Sequence, residues 1–463
     1  MATDEKTLRS LNPATGEPAH EVPIDDEAAV ERKLALSAKA FRTWRKTSFA
    51  ERGALFRSVA KVLRDQVDAL APLMTQEMGK VDREARGEIE KCAWTSEHFA
   101  AHAEGYLKRE VLESDATRSY VQHLPLGAVL GILPWNSPFW LTFRVAAPAM
   151  MAGNVCLIKH DPHVPACAQA LEKVFTDAGA EPGLFQALFL PTNRVEPVIR
   201  DRRVAAVSFT GSTRGGQAVA QVAASEIKPA VLELGGSDPA IVLSDLPDMD
   251  DCIDKITIMR IIATGQSCIA AKRLIVEDSV YDAFVEKLSE KLGALKVGDP
   301  TDAATDVGPM ARADLRAELH RQVSESIEQG ARCVLGGELP DGPGAFYRVT
   351  LLADVTPEMT AFREETFGPV AVVIRAKDAD HALELANQTD YGLAGSVWTS
   401  PERGEAIARE METGQVAVNG VVKTDPRLPS GGIKRSGYGK ELGPQGIREF
   451  VNSQQVWVGP KRG

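Results

Sequence analysis

No stretch of the 463 residues is apolar for long enough to cross a bilayer. The longest run, around Val145–Ile158, is interrupted by Pro148, Gly153 and Asn154 and falls short of the ~20 residues a spanning helix needs. The opening MATDEKTLRS has no apolar core of the kind a secretory leader carries, so no leader is expected. Cysteine is scarce: Cys92, Cys156, Cys167, Cys252, Cys268 and Cys333. None forms a CxxC pair and no Cys/His cluster has zinc spacing, so neither a metal site nor a disulfide framework is expected, and a reducing cytosol fits best. Basic charge is also lacking: 53 Lys and Arg stand against 64 Asp and Glu, a net charge of −11, which argues against nucleic acid or an anionic membrane as partner. Repeats, low-complexity tracts and a clear linker are absent. What remains, 44% hydrophobic and 25% charged residues, is the composition of an ordinary globular protein. Its length suggests about three folding units.

The early chain reads as helical. From Asp26, apolar residues recur at Val30, Leu34, Ala38, Phe41 and Trp44 on one helical face. Ser48-Phe49-Ala50-Glu51 has the form of a capping box ahead of Leu55, Val59 and Val62, and Gly79 is placed to end the helical region that follows. After about residue 118 short apolar runs alternate with helix-length segments. Strands are expected at Ala128–Leu133, Val155–Ile158, Phe185–Leu190, Ala205–Phe209, Ala230–Leu234 and Ala240–Leu243, with helices such as Pro165–Ala178 and Arg214–Ala224 between them. A second series has strands near Arg273–Val276 and Val370–Ile374 and helices near Val280–Leu292 and Arg312–Gln329. Such alternation implies an α/β fold built on parallel sheets, which bind ligands at the carboxyl ends of their strands.

Five segments at such positions carry reactive or permissive residues: Pro134-Trp135-Asn136-Ser137-Pro138, Phe209-Thr210-Gly211-Ser212, Leu232-Glu233-Leu234-Gly235-Gly236, Gly265-Gln266-Ser267-Cys268 and Glu365-Thr366-Phe367-Gly368-Pro369. Each has a bland alternative. Gly211-Ser212 is either an ordinary strand-to-helix turn or a helix start that seats a phosphate, and it lacks the full GxGxxG fingerprint. Cys268 alone reads as a small buried hydrophobe. Glu233 alone is an ion-paired or surface carboxylate, and Asn136 a turn residue.

Their order and spacing resemble the aldehyde dehydrogenase superfamily, from Asn12-Pro13-Ala14-Thr15-Gly16 to Ser436-Gly437-Tyr438-Gly439-Lys440-Glu441. Lys159-His160, Glu233–Pro239, Ala271-Lys272-Arg273 and Gly308–Arg312 are most similar to bacterial NAD(P)-dependent succinate-semialdehyde dehydrogenases. The resemblance implies that Cys268 attacks the aldehyde carbon, that the Asn136 amide and the Cys268 N–H hold the oxyanion, and that Glu233 activates the water that hydrolyses the thioester. It places Leu133, Trp135, Lys159, Gly211, Ser212, Glu365 and Phe367 around NAD or NADP. A Glu common in NAD-preferring relatives three residues after the Lys is replaced by Pro162, which removes one barrier to a 2′-phosphate, whereas Asp161 would restore some NAD bias. The acylating variant, with CoA as acceptor, is disfavoured by Glu233, and a dinucleotide-binding protein without catalysis by the joint presence of Cys268, Glu233 and Asn136.

The resemblance further implies a Rossmann-like dinucleotide-binding domain (1–106 and 127–235), a catalytic domain (236–446) and a β-strand oligomerisation extension (107–126 and 447–463). The last would make a homodimer or homotetramer, and both Tyr120–Leu124 and Gln455–Val458 read as strands. For the substrate, Arg144 is the candidate clamp for a distal carboxylate, with Arg260 and Arg427 behind it. The bland reading makes all three structural. Ser137 and Ser430 stand where many relatives carry aromatics, and Ile261-Ile262-Ala263-Thr264 is unusually apolar. A bulkier or aromatic aldehyde stacking on Trp140 is therefore the alternative to succinate semialdehyde.

Overall fold

The computed structural model describes residues 6–459. Residues 460–463 of the expected extension and 1–5 of the amino-terminal segment lie outside them.

Runs that are apolar at every position become strands covered on both faces, because only a parallel sheet between helix layers hides both sides of a strand. Ala128–Leu133 and Val155–His160 are buried throughout. They lie in a six-stranded sheet ordered Gly437–Tyr438, Ala230–Glu233, Val204–Thr210, Ala128–Leu133, Val155–His160, Phe185–Ala187. All neighbours are parallel except the Gly437–Tyr438 edge. Register sets the strand ends level: Leu133 opposes His160, Ile132 opposes Phe209, and Thr210 opposes Glu233. The four segments that end in Leu133, His160, Thr210 and Glu233 thus open on one sheet edge.

The chain leaves this sheet at Glu233 and enters a second at Asp238–Val242. The second has seven strands, ordered Arg332–Leu335, Thr350–Ala353, Val370–Ala376, Ala271–Glu277, Asp238–Val242, Ala394–Trp398, Gln415–Val418, parallel apart from the first pair. The run at Ala240–Leu243, grouped above with the first series, belongs here: Leu234–Ser237 carries the chain between sheets without a helical crossover. Asp238 opposes Ala271, so Cys268 comes just before the amino end of the second sheet. The carboxyl edge of one sheet and the amino edge of the other bring the Glu233 and Cys268 segments together. Gly437–Tyr438, expected within the catalytic domain, pairs instead with the strand of Glu233.

Helices Glu27–Trp44, Phe49–Asp65, Val67–Met78 and Asp82–Tyr106 form the amino-terminal layer. Asp26 caps the first, Ser48 and Glu51 complete a reciprocal capping box on the second, and Gly79 at φ 78° ends the third. Ahead of them, before the first expected helix, a hairpin joins Thr7–Leu11 with Pro18–Pro23. Phe185–Leu190 is strand only over Phe185–Ala187. A three-stranded antiparallel ribbon joins Glu110–Val111, Arg118–Pro125 and Val451–Val458.

Candidate active site

Strand Ala128–Leu133 delivers Trp135-Asn136-Ser137 to the start of helix Pro138–Met151, whose 14 residues are all buried. A helix that starts inside the protein must find acceptors for its first N–H groups. Glu88, on Asp82–Tyr106, supplies one: its Oε1 accepts from Phe139 N at 3.0 Å and Trp140 N at 2.9 Å. Its other oxygen is ion-paired with Lys80, which also donates to Ser137 Oγ at 3.2 Å.

The segment that bears Cys268 is more tightly constrained. After helix Met249–Ile261 the backbone takes three successive positive φ values: Ala263 at 50°, Thr264 at 58° and Gly265 at 73°. Such strain persists only where the surroundings over-determine it. Ala263 N donates to Glu84 Oε2 at 2.8 Å, and Arg260 Nη2 donates to both Gly265 O and Gly368 O at 2.7 Å. Lys272 Nζ donates to Ser267 O at 3.0 Å and Cys268 O at 2.6 Å. A Cβ on Gly265 would lie 2.2 Å from Gly368 O, so only glycine fits. Asn136 Nδ2 donates to Gln266 O at 3.0 Å, which ties the amide to the cysteine loop.

Cys268 and Asn136 open on one cavity of about 320 Å³, walled by Trp140, Leu141, Ile262 and Ile269. Burial pushes the Cys268 thiol up to about 11, opposed by Arg144 and Lys272 and reinforced by Glu233 and Glu365. Glu233, at the end of its strand, is buried, and burial pushes its carboxyl up to about 7 against the pull of Arg144. Arg144 Nη2 donates to Glu233 Oε2 at 2.9 Å and to Ser430 Oγ at 3.2 Å, while its Nε faces the Glu441 carboxylate. Glu233 Oε1 has no hydrogen-bond partner, and a Cβ on Gly431 would come within 2.7 Å of it. This carboxylate can hold or release a proton near neutrality, within electrostatic reach of the sulfur.

The residues at the other strand ends of the first sheet, with Glu365 and Phe367, have the features of a dinucleotide site. Gly211 and Ser212 precede helix Thr213–Ser225, whose N-terminus Ser212 Oγ caps through Gly215 N at 3.2 Å. A Cβ on Gly211 would meet the Phe209 ring at 2.8 Å, so glycine keeps this edge low enough for a phosphate. Lys159 is buried, and burial pulls its ammonium down to about 8. Glu365 accepts from Gly236 N at 3.1 Å and lies 3.3 Å from Lys272 Nζ, and a Cβ on Gly235 would be 2.3 Å from its Oε2. Phe367 meets Trp135 edge-on with centroids 5.9 Å apart, and Leu133 is buried beside them. An anion seat, a buried cation and a carboxylate for sugar hydroxyls together fit a nicotinamide dinucleotide. Asp161 is engaged: its Oδ1 accepts from His163 N at 3.0 Å and contacts His163 Nδ1 at 2.6 Å. Burial works against this carboxylate, but His163 outweighs it and keeps its pKa low.

The sequence-selected arginines separate. Only Arg144 lines the cavity, and it is engaged by two carboxylates. Arg260 is buried on backbone carbonyls beneath the cysteine loop. Arg427 is exposed, pairing with Asp425 over the Trp94 ring. Ser137 and Trp140 line the cavity, and Ser430 sits behind Arg144. Sequence reading missed Glu84, Glu88 and Lys91 on the cavity side of Asp82–Tyr106, and the roles of Lys272 and Glu441. Charges three and four residues apart read as a solvated helix face, and nothing local distinguishes one that lines a cavity.

The sequence pattern of the aldehyde dehydrogenase family matches residues 1–456. A probable NADP(+)-dependent succinate-semialdehyde dehydrogenase of Synechocystis sp. is 44% identical over 452 residues, covering 97% of this chain and 99% of its own. The NAD(P)+-dependent succinate semialdehyde dehydrogenase Sad of Escherichia coli K12 is 44% identical over 449 residues, 97% of each chain. The crystal structure of succinic semialdehyde dehydrogenase from Streptococcus pyogenes with NADP+ superposes with a TM-score of 0.95 at 36% identity, covering 98% of this chain and all of that one.

Proposed function

The chain belongs to the aldehyde dehydrogenase family, and from that premise we propose that it oxidises succinate semialdehyde to succinate with NADP or NAD. The observation that carries the reading is the meeting of Cys268, Asn136 and Arg144 around one small cavity, with the buried Glu233 carboxylate held behind it by Arg144 and within electrostatic reach of the sulfur. Leu133, Trp135, Lys159, Gly211, Ser212, Glu365 and Phe367 would hold the dinucleotide, whose nicotinamide, when bound, accepts a hydride.

The thiol of Cys268 is protonated at neutral pH, so it must lose its proton as it adds to the aldehyde carbon. Glu233, poised near neutrality, suits that task. The Asn136 amide and the Cys268 N–H stabilise the oxyanion of the thiohemiacetal. Loss of hydride from that carbon leaves an acyl thioester on Cys268. The proton taken from the thiol passes from Glu233 to solvent, so that Glu233, ionised again, takes a proton from the water that attacks the acyl carbon. The tetrahedral adduct breaks its C–S bond, the acid leaves, and the proton on Glu233 returns to the Cys268 thiolate.

The cavity volume, about 320 Å³, lies at the small end for ligand pockets, which supports a four-carbon substrate. Its apolar walls, Trp140, Ile262 and Ile269, favour the second reading, a bulkier or aromatic aldehyde. Pro162 puts no carboxylate against a 2′-phosphate, and Asp161, which stays ionised, is turned onto His163 through both the His163 N–H and its ring, which together support NADP. Among the described residues all six cysteines are free, in keeping with a reducing cytosol. No described helix is long and apolar enough to cross a membrane. The ribbon edge at Val451–Val458, with Trp457 exposed, supports a homodimer or homotetramer that covers it.

Reduced-nicotinamide absorbance on mixing the protein with each dinucleotide and a panel of succinate semialdehyde, butanal and benzaldehyde tests the reading. Highest kcat/KM with succinate semialdehyde is expected. Turnover confined to benzaldehyde would replace it with the second reading.

A further inference from the structure

A substrate with a carboxylate at its far end needs a cation that is free to receive it. Three cations line the cavity of Cys268: Lys80, Lys91 and Arg144. Lys80 is ion-paired with Glu88 in the interior. Arg144 lies between Glu233 and Glu441, so an incoming anion would compete with two buried carboxylates for it. Lys91 differs. Its Nζ donates to Thr424 Oγ1 at 2.7 Å and lies 4.0 Å from the centroid of the Trp140 ring, and among the described residues no carboxylate forms an ion pair with it. It is half-buried, so its charge is poorly hydrated without being sealed from the cavity. One turn earlier on the same helix face is Gly87, where a Cβ would meet nothing within 4 Å, which leaves the approach to Lys91 open. Glu84, the remaining cavity carboxylate, is engaged by Ala263 N, and burial raises its carboxyl, which softens its repulsion of an anion.

We propose that Lys91, not Arg144, is the specificity-determining group that binds the distal carboxylate of an acid-terminated aldehyde, with Trp140 supporting the substrate's methylene chain beneath it. The inference rests on the proposed substrate reading. It divides the labour of the two cations: Arg144 governs the proton affinity of Glu233, and Lys91 recognises the substrate.

The test compares succinate semialdehyde with butanal, its four-carbon analogue without the carboxylate, in the full-length wild-type protein and in Lys91→Met, Lys91→Gln and Lys91→Arg. A charge-assisted hydrogen bond supports a rise in KM for succinate semialdehyde of about 10- to 150-fold in the Met and Gln variants. KM for butanal should stay where it was, and Lys91→Arg should recover most of the loss. The Gln variant keeps a donor for Thr424, so the measurement survives if the Met variant folds poorly. Equal losses for both aldehydes, or unchanged selectivity, would overturn the role of Lys91. Loss of selectivity in Arg144→Gln alone would return the role to Arg144. A wild-type protein with no preference for succinate semialdehyde over butanal would instead overturn the substrate reading itself, before any variant is made.

Discussion

Replacing Arg144 with Gln removes the one cation between two buried carboxylates. In the wild type, burial lifts Glu233 to about 7 while the guanidinium, 2.9 Å from its Oε2, holds it from rising further. An opposite charge this close lowers a carboxyl pKa by about one to three pH units, so its loss should carry the inflection of Glu233 from about 7 to between about 8 and about 10. Glu233 works as a base, so only its ionised form counts. At pH 7 the ionised fraction would fall from about one half by between about 5-fold and about 500-fold, and steady-state turnover should follow it. Raising the pH should recover the rate, because the base is displaced on the pH axis and not deleted. Arg144 also eases ionisation of Cys268, so the pH profile of iodoacetamide alkylation at that thiol should move upward too. Stopped-flow measurement of reduced nicotinamide across pH 6–10, paired with alkylation rates, gives both profiles. A turnover profile that still turns near 7 at undiminished kcat would refute the assignment of the base's proton affinity to Arg144.

Cys268→Ala should abolish dinucleotide-linked oxidation while dinucleotide binding, followed by quenching of tryptophan fluorescence, persists; retained turnover would remove the sulfur from its role. His163→Ala releases the Asp161 carboxylate, so KM for NADP should rise by several-fold more than KM for NAD; parallel changes would mean that Asp161 does not face the 2′ position. Gly265→Ala puts a side chain at φ 73° against Gly368 O, which costs at least about 1–2 kcal/mol before the overlap is counted. A lowered melting temperature with slow Cys268 alkylation is expected, and a variant that melts and alkylates like the wild type would contradict the packing described.

Elements whose identity depends on local chemistry were legible. Ala128–Leu133 reads as a strand because a strand buried on both faces is a continuous apolar run, and Ser48 and Glu51 announce a helix start through the hydrogen bonds they make with each other's backbone. The hairpin Thr7–Leu11 with Pro18–Pro23 was not legible, since polar and apolar side chains are mixed along it and prolines flank its turn. Which sheet receives Asp238–Val242 depends on a path through Leu234–Ser237 that carries no periodic signal. At the site, Cys268, Asn136 and Glu233 stand out because each sits in a motif at a strand or helix end. The charges of Asp82–Tyr106 do not, because their meaning lies in what the helix packs against. Arg144 shows the limit well: its position was legible, its two carboxylate partners were not.

The strand that bears Glu233 is completed on one side by Gly437–Tyr438, and Ser436 Oγ donates to Gly235 O from 201 positions away. Ser430 and Glu441, which hold Arg144, arrive on that same late segment. While the polypeptide is still emerging from the ribosome, then, the first sheet keeps an open flank and the arginine has only Glu233 of its three anchors. Synthesis itself delays the arming of the enzyme, and a chaperone that shields this flank would be acting on the region where a nascent molecule is most exposed to mispairing.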